Sequence, residues 1–468
     1  MEETLRLEFG TASTALGTQW TALQRSNGVA NPPHVLSFEA KNRIRRRFPP
    51  KPKPQEDATT WTGGVQVYDQ SGPDLAPAQD DALWDWSLRS ERNLVEVDEF
   101  RPHLPMHNFY EGYAASNGGN ISTLTLENGQ DRVRAVLETC DQLRLVQGLV
   151  DMDSSWGGLA HEMLTYTREE CPGAVVMVVG NDWSYPLASD DSDAVFRVAS
   201  DERDRSKIEA RKKVNVASSV ALLSEVSTLF VPVAMAPGSL SSSSFPQLRF
   251  DRSSYGDVGS VVATALEVAM SAHRGKPAYE MLEGLQPSMK VVELAASLPF
   301  ADDPTVLLQR INESISNEVS SKRQEDDPFQ KCSLLPSVTT QQRQVHPGKV
   351  HYRRLHFRGP FSAFSSLRSA IDSSPMSPRD VTLQWSETSP LVLPESHRVQ
   401  ALQGVSIDAV SQLSLSSRVG NYLSILAQRV SKNDKRTFFE FTRAGMSPDA
   451  PEELAATLAA MGDAYSEQ

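Results

Sequence analysis

Two short loops hold the residues whose types and spacing bear most directly on chemistry. Ser154-Ser155-Trp156-Gly157-Gly158 lies between an apolar run, Leu145 to Met152, and a segment with Leu159, Ala160, Met163, Leu164 and Thr167 on one helical face. Pro172-Gly173 stops that helix, and Ala174 to Val179 is a continuous apolar run of the kind that a strand covered on both faces shows. The spacing predicts a parallel βαβ unit. Its loop then opens onto a helix N-terminus, where free N–H groups and roughly half a positive charge favour an anion such as phosphate. Asp151 and Asp153 immediately before the loop, the bulk of Trp156 and a supply of only two glycines favour a plain strand-to-helix turn instead. Both readings stay open on the residues alone.

The second loop is Gly10-Thr11-Ala12-Ser13. It follows an alternating strand, Leu5, Leu7 and Phe9 against Arg6 and Glu8, and precedes a helix-periodic segment through Ala15, Leu16, Trp20 and Leu23. A lone glycine there is weak support for a phosphate seat.

Other constellations carry less. His161-Glu162 begins like the HExxH zinc motif but lacks the second histidine one turn later, so the ligand set cannot close and a surface pair explains it. Glu280 and Glu283, three apart, can share a helical face and orient a water, or simply mark a solvated helix start. Tyr255 opens an apolar helix, where it can stack on a base or serve as a core aromatic. No GxSxG, Walker A or GxGxxG sequence occurs.

The elements that must position these residues follow from periodicity. Helices are expected over Asp131 to Arg144, Ile208 to Val226, Tyr255 to His273, Phe361 to Ile371, Ser411 to Lys432, Arg436 to Ala444 and Pro451 to Tyr465. Strands are expected near Val65 to Tyr68, at Leu229 to Met235, Val291 to Phe300, Val350 to Phe357 and Val381 to Trp385. Leu94 to Ile121 reads as loop, as do the acidic stretch after Gly180 and the Ser-rich run Ser239 to Ser244, and Glu318 to Gly348 reads as a flexible insertion. The segment from Tyr255 is apolar nearly all round and belongs in the interior.

At 468 residues the chain has room for two or three domains. Its net charge of -13 argues against general nucleic-acid binding. Cys140, Cys171 and Cys332 show no CxxC spacing and suit buried thiols in a reducing compartment. The start of the chain is acidic, unlike a signal or transit peptide, and no apolar run approaches the roughly 18 residues of a membrane helix. The run 41–53 carries seven basic residues among prolines and is expected to be an extended loop able to dock on anionic lipid or an acidic protein.

In order along the chain, these pieces resemble the tubulin/FtsZ superfamily. Leu5 to Trp20 looks like tubulin's first strand, phosphate loop and first helix. Glu138-Thr139-Cys140-Asp141 with Val146-Gln147-Gly148 resembles the ESCDCLQGF that leads to the glycine-rich loop, and Arg168 to Pro172 resembles the REEYP that closes the next helix. Tyr255-Gly256-Asp257-Val258 looks like the YGDL that opens the central helix, where the tyrosine stacks on guanine, and Arg436 to Tyr465 is similar to tubulin's last helices. The degenerate loop and the tail point within the superfamily to the Misato family of tubulin-like proteins.

The resemblance implies an α/β fold: a Rossmann-like parallel-sheet domain over 1–254, a central core helix over 255–274, a smaller α+β intermediate domain over 275–405 and C-terminal helices over 406–468. It implies a nucleotide cleft at Gly10, Thr11, Ala12, Ser154, Ser155, Gly157, Gly158 and Tyr255. Departures from tubulin reduce that cleft to a vestige. GGGTGSG is replaced by Ser154 to Gly158, the first-loop glutamine and cysteine by Thr11 and Ala12, and the asparagine one turn past the tyrosine by Gly259. In the hydrolysis loop the acids persist as Glu280 and Glu283, but Ala278 stands in place of the asparagine.

The expectation is therefore a non-catalytic scaffold with no catalytic residue, metal or cofactor. It would lie in the cytoplasm and on the mitochondrial outer surface, and serve mitochondrial distribution, morphology and DNA inheritance. Tubulin, cytosolic chaperonin or mitochondrial surface proteins would be its partners. The alternatives are a divergent GTPase holding GTP or GDP, with Glu283 orienting water, and an accessory factor in chaperonin-assisted tubulin assembly.

Overall fold

A computed structural model describes residues 3–40, 91–100, 106–182, 202–236, 240, 245, 247–252, 254–271, 273–274, 276–285, 288–300, 329, 332–336, 350–359, 381–387, 390–433 and 435–465. The basic run 41–53, the strand expected near Val65, most of the 318–348 insertion and the helix expected at Phe361 to Ile371 lie outside the described residues, as does nearly all of the acidic stretch after Gly180 and of the Ser-rich run.

Six strands form a parallel sheet in the order β3-β2-β1-β4-β5-β6. They are β1 (Glu3–Phe9), β2 (His34–Ala40), β3 (Leu94–Val97), β4 (Leu143–Asp151), β5 (Val175–Asp182) and β6 (Leu229–Ala234). The order reverses at β1 and β4, which pair in parallel from Glu3 to Phe9. In open α/β sheets the crevice at such a reversal, beyond the carboxyl ends of the strands, is where ligands bind.

Helices α1 (Thr11–Ser26), α2 (Thr123–Leu137), α3 (Trp156–Glu170) and α4 (Glu202–Val226) connect these strands. Helices α2, α3 and α4 pack side by side, while α1 packs along α5 (Tyr255–Ser271). On its other side α5 meets a second sheet of order β7-β12-β8-β9, built from β7 (Glu293–Ser297), β8 (Val350–Arg358), β9 (Val381–Glu387) and β12 (Ala409–Ser416). A short antiparallel pair, β10 (Leu391–Val392) with β11 (Ser406–Ile407), precedes β12. Val258, Val261, Val262, Ala265, Leu266 and Val268 of α5 are all fully buried, as an apolar perimeter requires. The layers form the α/β, Rossmann-like architecture expected of a tubulin/FtsZ-like chain.

The tail contains α6 (Ser417–Ser431), α7 (Lys435–Arg443) and α8 (Ala450–Asp463). Helices α6 and α8 pack on each other and on α4. Tyr465 closes the tail by donating its hydroxyl to Val291 O at 2.6 Å and accepting from Val291 N at 3.1 Å.

Several local expectations need correction. Ala409–Ser416, read in part as helix, is a strand whose partners are β7 and β8; the helix starts only at Ser417. Helix α2 begins at Thr123, eight residues before Asp131, because Ser122 Oγ accepts from Thr125 N at 3.2 Å and caps it there. It ends at Leu137 and leaves Leu143 and Arg144 to β4. Leu94–Val97, inside a stretch read as loop, is the edge strand β3. The polar members of the alternation in β1, Arg6 and Glu8, are both fully buried. Arg6 Nε donates to Gln147 Oε1 at 3.0 Å with its guanidinium 4.0 Å above the Trp20 ring, and Glu8 Oε2 accepts from Ser37 Oγ at 2.7 Å. Of the cysteines only Cys332 is buried; Cys140 and Cys171 are half-exposed.

Candidate functional site

The carboxyl ends of β1 and β4 bring the two candidate loops together. Gly10 precedes α1 with φ at 96°, a left-handed conformation that suits glycine. Space demands glycine too, since a Cβ there would lie 2.4 Å from Asp151 Oδ2 and 2.7 Å from Trp156 Cδ1. Asp151, the last residue of β4, fills the position in front of the helix. Its Oδ2 accepts from Ala12 N at 3.0 Å, and its Oδ1 accepts from Ser13 N at 2.8 Å and Ser13 Oγ at 2.6 Å. Asn181 Nδ2 donates to Ser13 Oγ at 2.8 Å and fixes that hydroxyl's proton toward Asp151.

These are the donors that a helix N-terminus offers to an anion. Here the chain's own carboxylate takes them. Burial raises the Asp151 carboxyl to about 6, less far than its desolvation alone would carry it, because the hydrogen bonds from Ser13 and Ala12 favour the ionised form.

The second helix start is filled as well. Trp156 is the first residue of α3 and stacks on Phe100 with ring centroids 3.7 Å apart. A Cβ on Gly157 would meet Ser219 Oγ at 2.4 Å and Phe109 Cδ2 at 2.8 Å; one on Gly158 would sit 2.1 Å from Phe109 O. Both glycines thus permit the close approach of the 3-10 turn Phe109–Gly112, and Gly157 that of α4 as well. Ser155 Oγ is buried without a hydrogen-bond partner, as is Asn181 Oδ1.

Asn215 of α4 secures the turn: its Oδ1 accepts from Phe109 N at 2.9 Å, and its Nδ2 donates to Asp153 O at 2.8 Å and His107 O at 2.6 Å. Nothing in the sequence singles out Asn215 beyond a polar residue on an apolar helix face.

Beyond the loops lie two more acids. Burial raises Asp153 to about 7 against the pull of Lys212, whose Nζ stands 3.9 Å away, and Asp182 is also raised by burial, opposed by Lys212 and Arg429. The cleft wall is therefore acidic and compensated from α4 and α6.

Not all expected site residues gather here. Tyr255 is the first residue of α5, but its side chain lies outside the described residues. Gly259 faces Gln19, whose Oε1 accepts from Ser260 Oγ at 3.1 Å. Glu280 lies within a short 3-10 turn and Glu283 just after it, not on a helix face; their backbone carbonyls accept from Arg354 Nη1 at 2.7 Å and Nη2 at 2.5 Å, which fastens this loop to β8. His161 packs edge-on against Tyr113, and Glu162 accepts from Asn117 Nδ2 at 3.0 Å, so that pair holds the 113–117 turn.

A guanine nucleotide, the group that this fold would carry, does not fit these residues. Its phosphates would need the amides of Ala12 and Ser13, which Asp151 holds. A phosphate at α1 would also stand against an ionised carboxylate.

Sheet order, central helix and paired loops define a tubulin/FtsZ-type α/β protein. The sequence pattern described as "Tubulin domain" matches residues 122–274. Two fungal proteins are similar: the protein dml1 of Aspergillus clavatus, 25% identical over 193 residues, which are 41% of this chain and 34% of the relative, and the protein DML1 of Coccidioides immitis, 30% identical over 152 residues, 32% and 26%. The matched stretches thus span about a third and about a quarter of those relatives. With the fold, these matches make the chain similar to tubulin-domain proteins and, over those stretches, to the dml1 proteins.

Proposed function

We propose that this protein is a non-catalytic tubulin-like scaffold whose nucleotide cleft is closed from within, and that it acts in mitochondrial distribution, morphology and DNA inheritance. The observation that supports the first part is the Asp151 carboxylate on the amides of Ala12 and Ser13. A helix N-terminus has a limited set of free donors, and an internal acceptor competes with a phosphate at the effective concentration of a tethered group. The mitochondrial part, with its place in the cytoplasm and on the organelle's outer surface, rests on the family resemblance. Tubulin, chaperonin or mitochondrial surface proteins are the partners it suggests.

The test of the first part is the nucleotide content of the purified full-length chain and its titration with GTP and GDP. No co-purified nucleotide and no saturable binding are expected; stoichiometric GTP that turns over would overturn the reading. The second part is tested by depleting the protein and imaging mitochondria and their DNA. A normal network with normal DNA transmission would remove it.

A further inference from the structure

The opposite end of the parallel sheet carries a different chemistry. Glu3 begins β1, His34 begins β2, and Cys140 lies in the turn that leads to β4, so the three residues stand at the amino-terminal ends of three adjacent strands. One carboxylate oxygen, one imidazole nitrogen and the thiol sulfur all lie within 4.8 Å of one another. Among the described residues this is the only such group of three.

The backbone holds them in place. Glu3 N donates to Gln142 O at 3.0 Å, and Gln142 N donates to Glu3 Oε2 at 3.1 Å, which fixes the carboxylate beside the turn bearing Cys140. Glu3 Oε1 is left facing His34 Nε2 at 3.9 Å. The register Leu5↔His34 between β1 and β2 sets that approach.

We propose that Glu3, His34 and Cys140 form a zinc(II) site with one position open to water. The ligand types select the metal: thiolate and imidazole favour a borderline-soft cation such as zinc over calcium or magnesium, which take oxygen alone. Tetrahedral zinc with bonds of about 2.0–2.3 Å needs ligand atoms roughly 3.3–3.7 Å apart, so a closing movement of about 1 Å completes the set. Side-chain exposures of 39% for His34 and 24% for Glu3 leave room for entry and for the water ligand.

Binding would exchange the Cys140 thiol proton for a zinc–sulfur bond, with no redox change. Cys171, at the start of the connection to β5, acts electrostatically on Cys140 but stands outside the group of three. The bound ion would join β1, β2 and the α2–β4 turn at the end of the sheet remote from the Asp151 cleft.

The experiment titrates chelator-stripped full-length protein with zinc against a chromophoric competitor, and with cobalt(II) as a spectroscopic substitute. One equivalent per chain is expected, with a thiolate-to-cobalt charge-transfer band. Cys140→Ser should abolish the band and weaken zinc binding by at least about tenfold, and His34→Ala should weaken it comparably. Cys171→Ser should leave both unchanged. Circular dichroism of each variant shows that it is folded. Absence of saturable binding, affinity unchanged in Cys140→Ser, or loss of the band in Cys171→Ser alone would each overturn the proposal.

Discussion

Trp20 and Glu267 meet across the interface of α1 and α5: the indole Nε1 donates to Glu267 Oε2 at 2.9 Å, and both side chains are fully buried. The other carboxylate oxygen faces two guanidiniums, Arg274 and, at 3.5 Å, Arg358 of β8. One acid thereby ties the first helix, the central helix and the second sheet into a single charged node.

Removing that acid leaves buried positive charge without its counter-charge. Glu267→Leu is expected to destabilise the fold by about 3–5 kcal/mol, read as a lower urea midpoint. Trp20→Phe, which loses one hydrogen bond and leaves Arg6 a smaller ring face, should cost about 1–3 kcal/mol. A Glu267→Leu variant as stable as the parent would contradict the node.

The Asp151 cap gives a prediction of its own. Asp151→Ala strips Ala12 N, Ser13 N and Ser13 Oγ of their acceptor and is expected to cost about 1–3 kcal/mol. Asp151→Asn keeps one acceptor oxygen but turns its NH2 toward the donors on the other side, so it should recover only part of that loss. An Asp151→Ala variant as stable as the parent would contradict the cap.

Stability should also respond to pH through Asp151 and Asp153, raised by burial to about 6 and about 7. An unfolded aspartate titrates near 3.9, so between about pH 4 and pH 7 the folded state binds more protons than the unfolded one. The contribution of these groups is therefore present when they are protonated and is lost as pH rises through that window. One such carboxylate can give a slope of at most about 1.4 kcal/mol per pH unit. Urea denaturation of Asp153→Asn at pH 4, 5.5 and 7 should show a flatter loss than the parent.

The glycines of the α3 loop are expected to be intolerant for steric reasons. Gly158→Ala places a methyl 2.1 Å from Phe109 O, and backbone on both sides has nowhere to go. A loss of about 1–3 kcal/mol or more in urea denaturation is expected. Gly173→Ala, with open space around it, serves as the control.

The sequence disclosed the elements that repeat a local pattern. The apolar runs of β4 to β6 and the all-round apolar α5 needed no knowledge of the rest of the chain. Ser411 to Ser416 misled because Leu413 and Leu415 alternate while Val419, Tyr422, Leu423 and Leu426 follow with helical spacing, so one apolar stripe crosses from strand into helix. The burial of Arg6 and Glu8 was not legible because their partners, Gln147 and Ser37, come from other strands.

For the site, sequence located the two loops and placed Asp151 beside them. What it could not give is the direction of that carboxylate: Ala12 and Ser13 lie 139 and 138 residues away. For Glu280 and Glu283 it is the shared helical face that the structure does not form. Their turn is too short to present a helical face, and it is their carbonyls, common to every residue type, that make the contacts.

A helix that meets its neutralising charge in the next strand of its own sheet reaches its final shape as soon as that strand is in place. On the proposed reading, folding of this protein would wait on no small molecule, and adding guanosine di- or triphosphate would leave its stability unchanged.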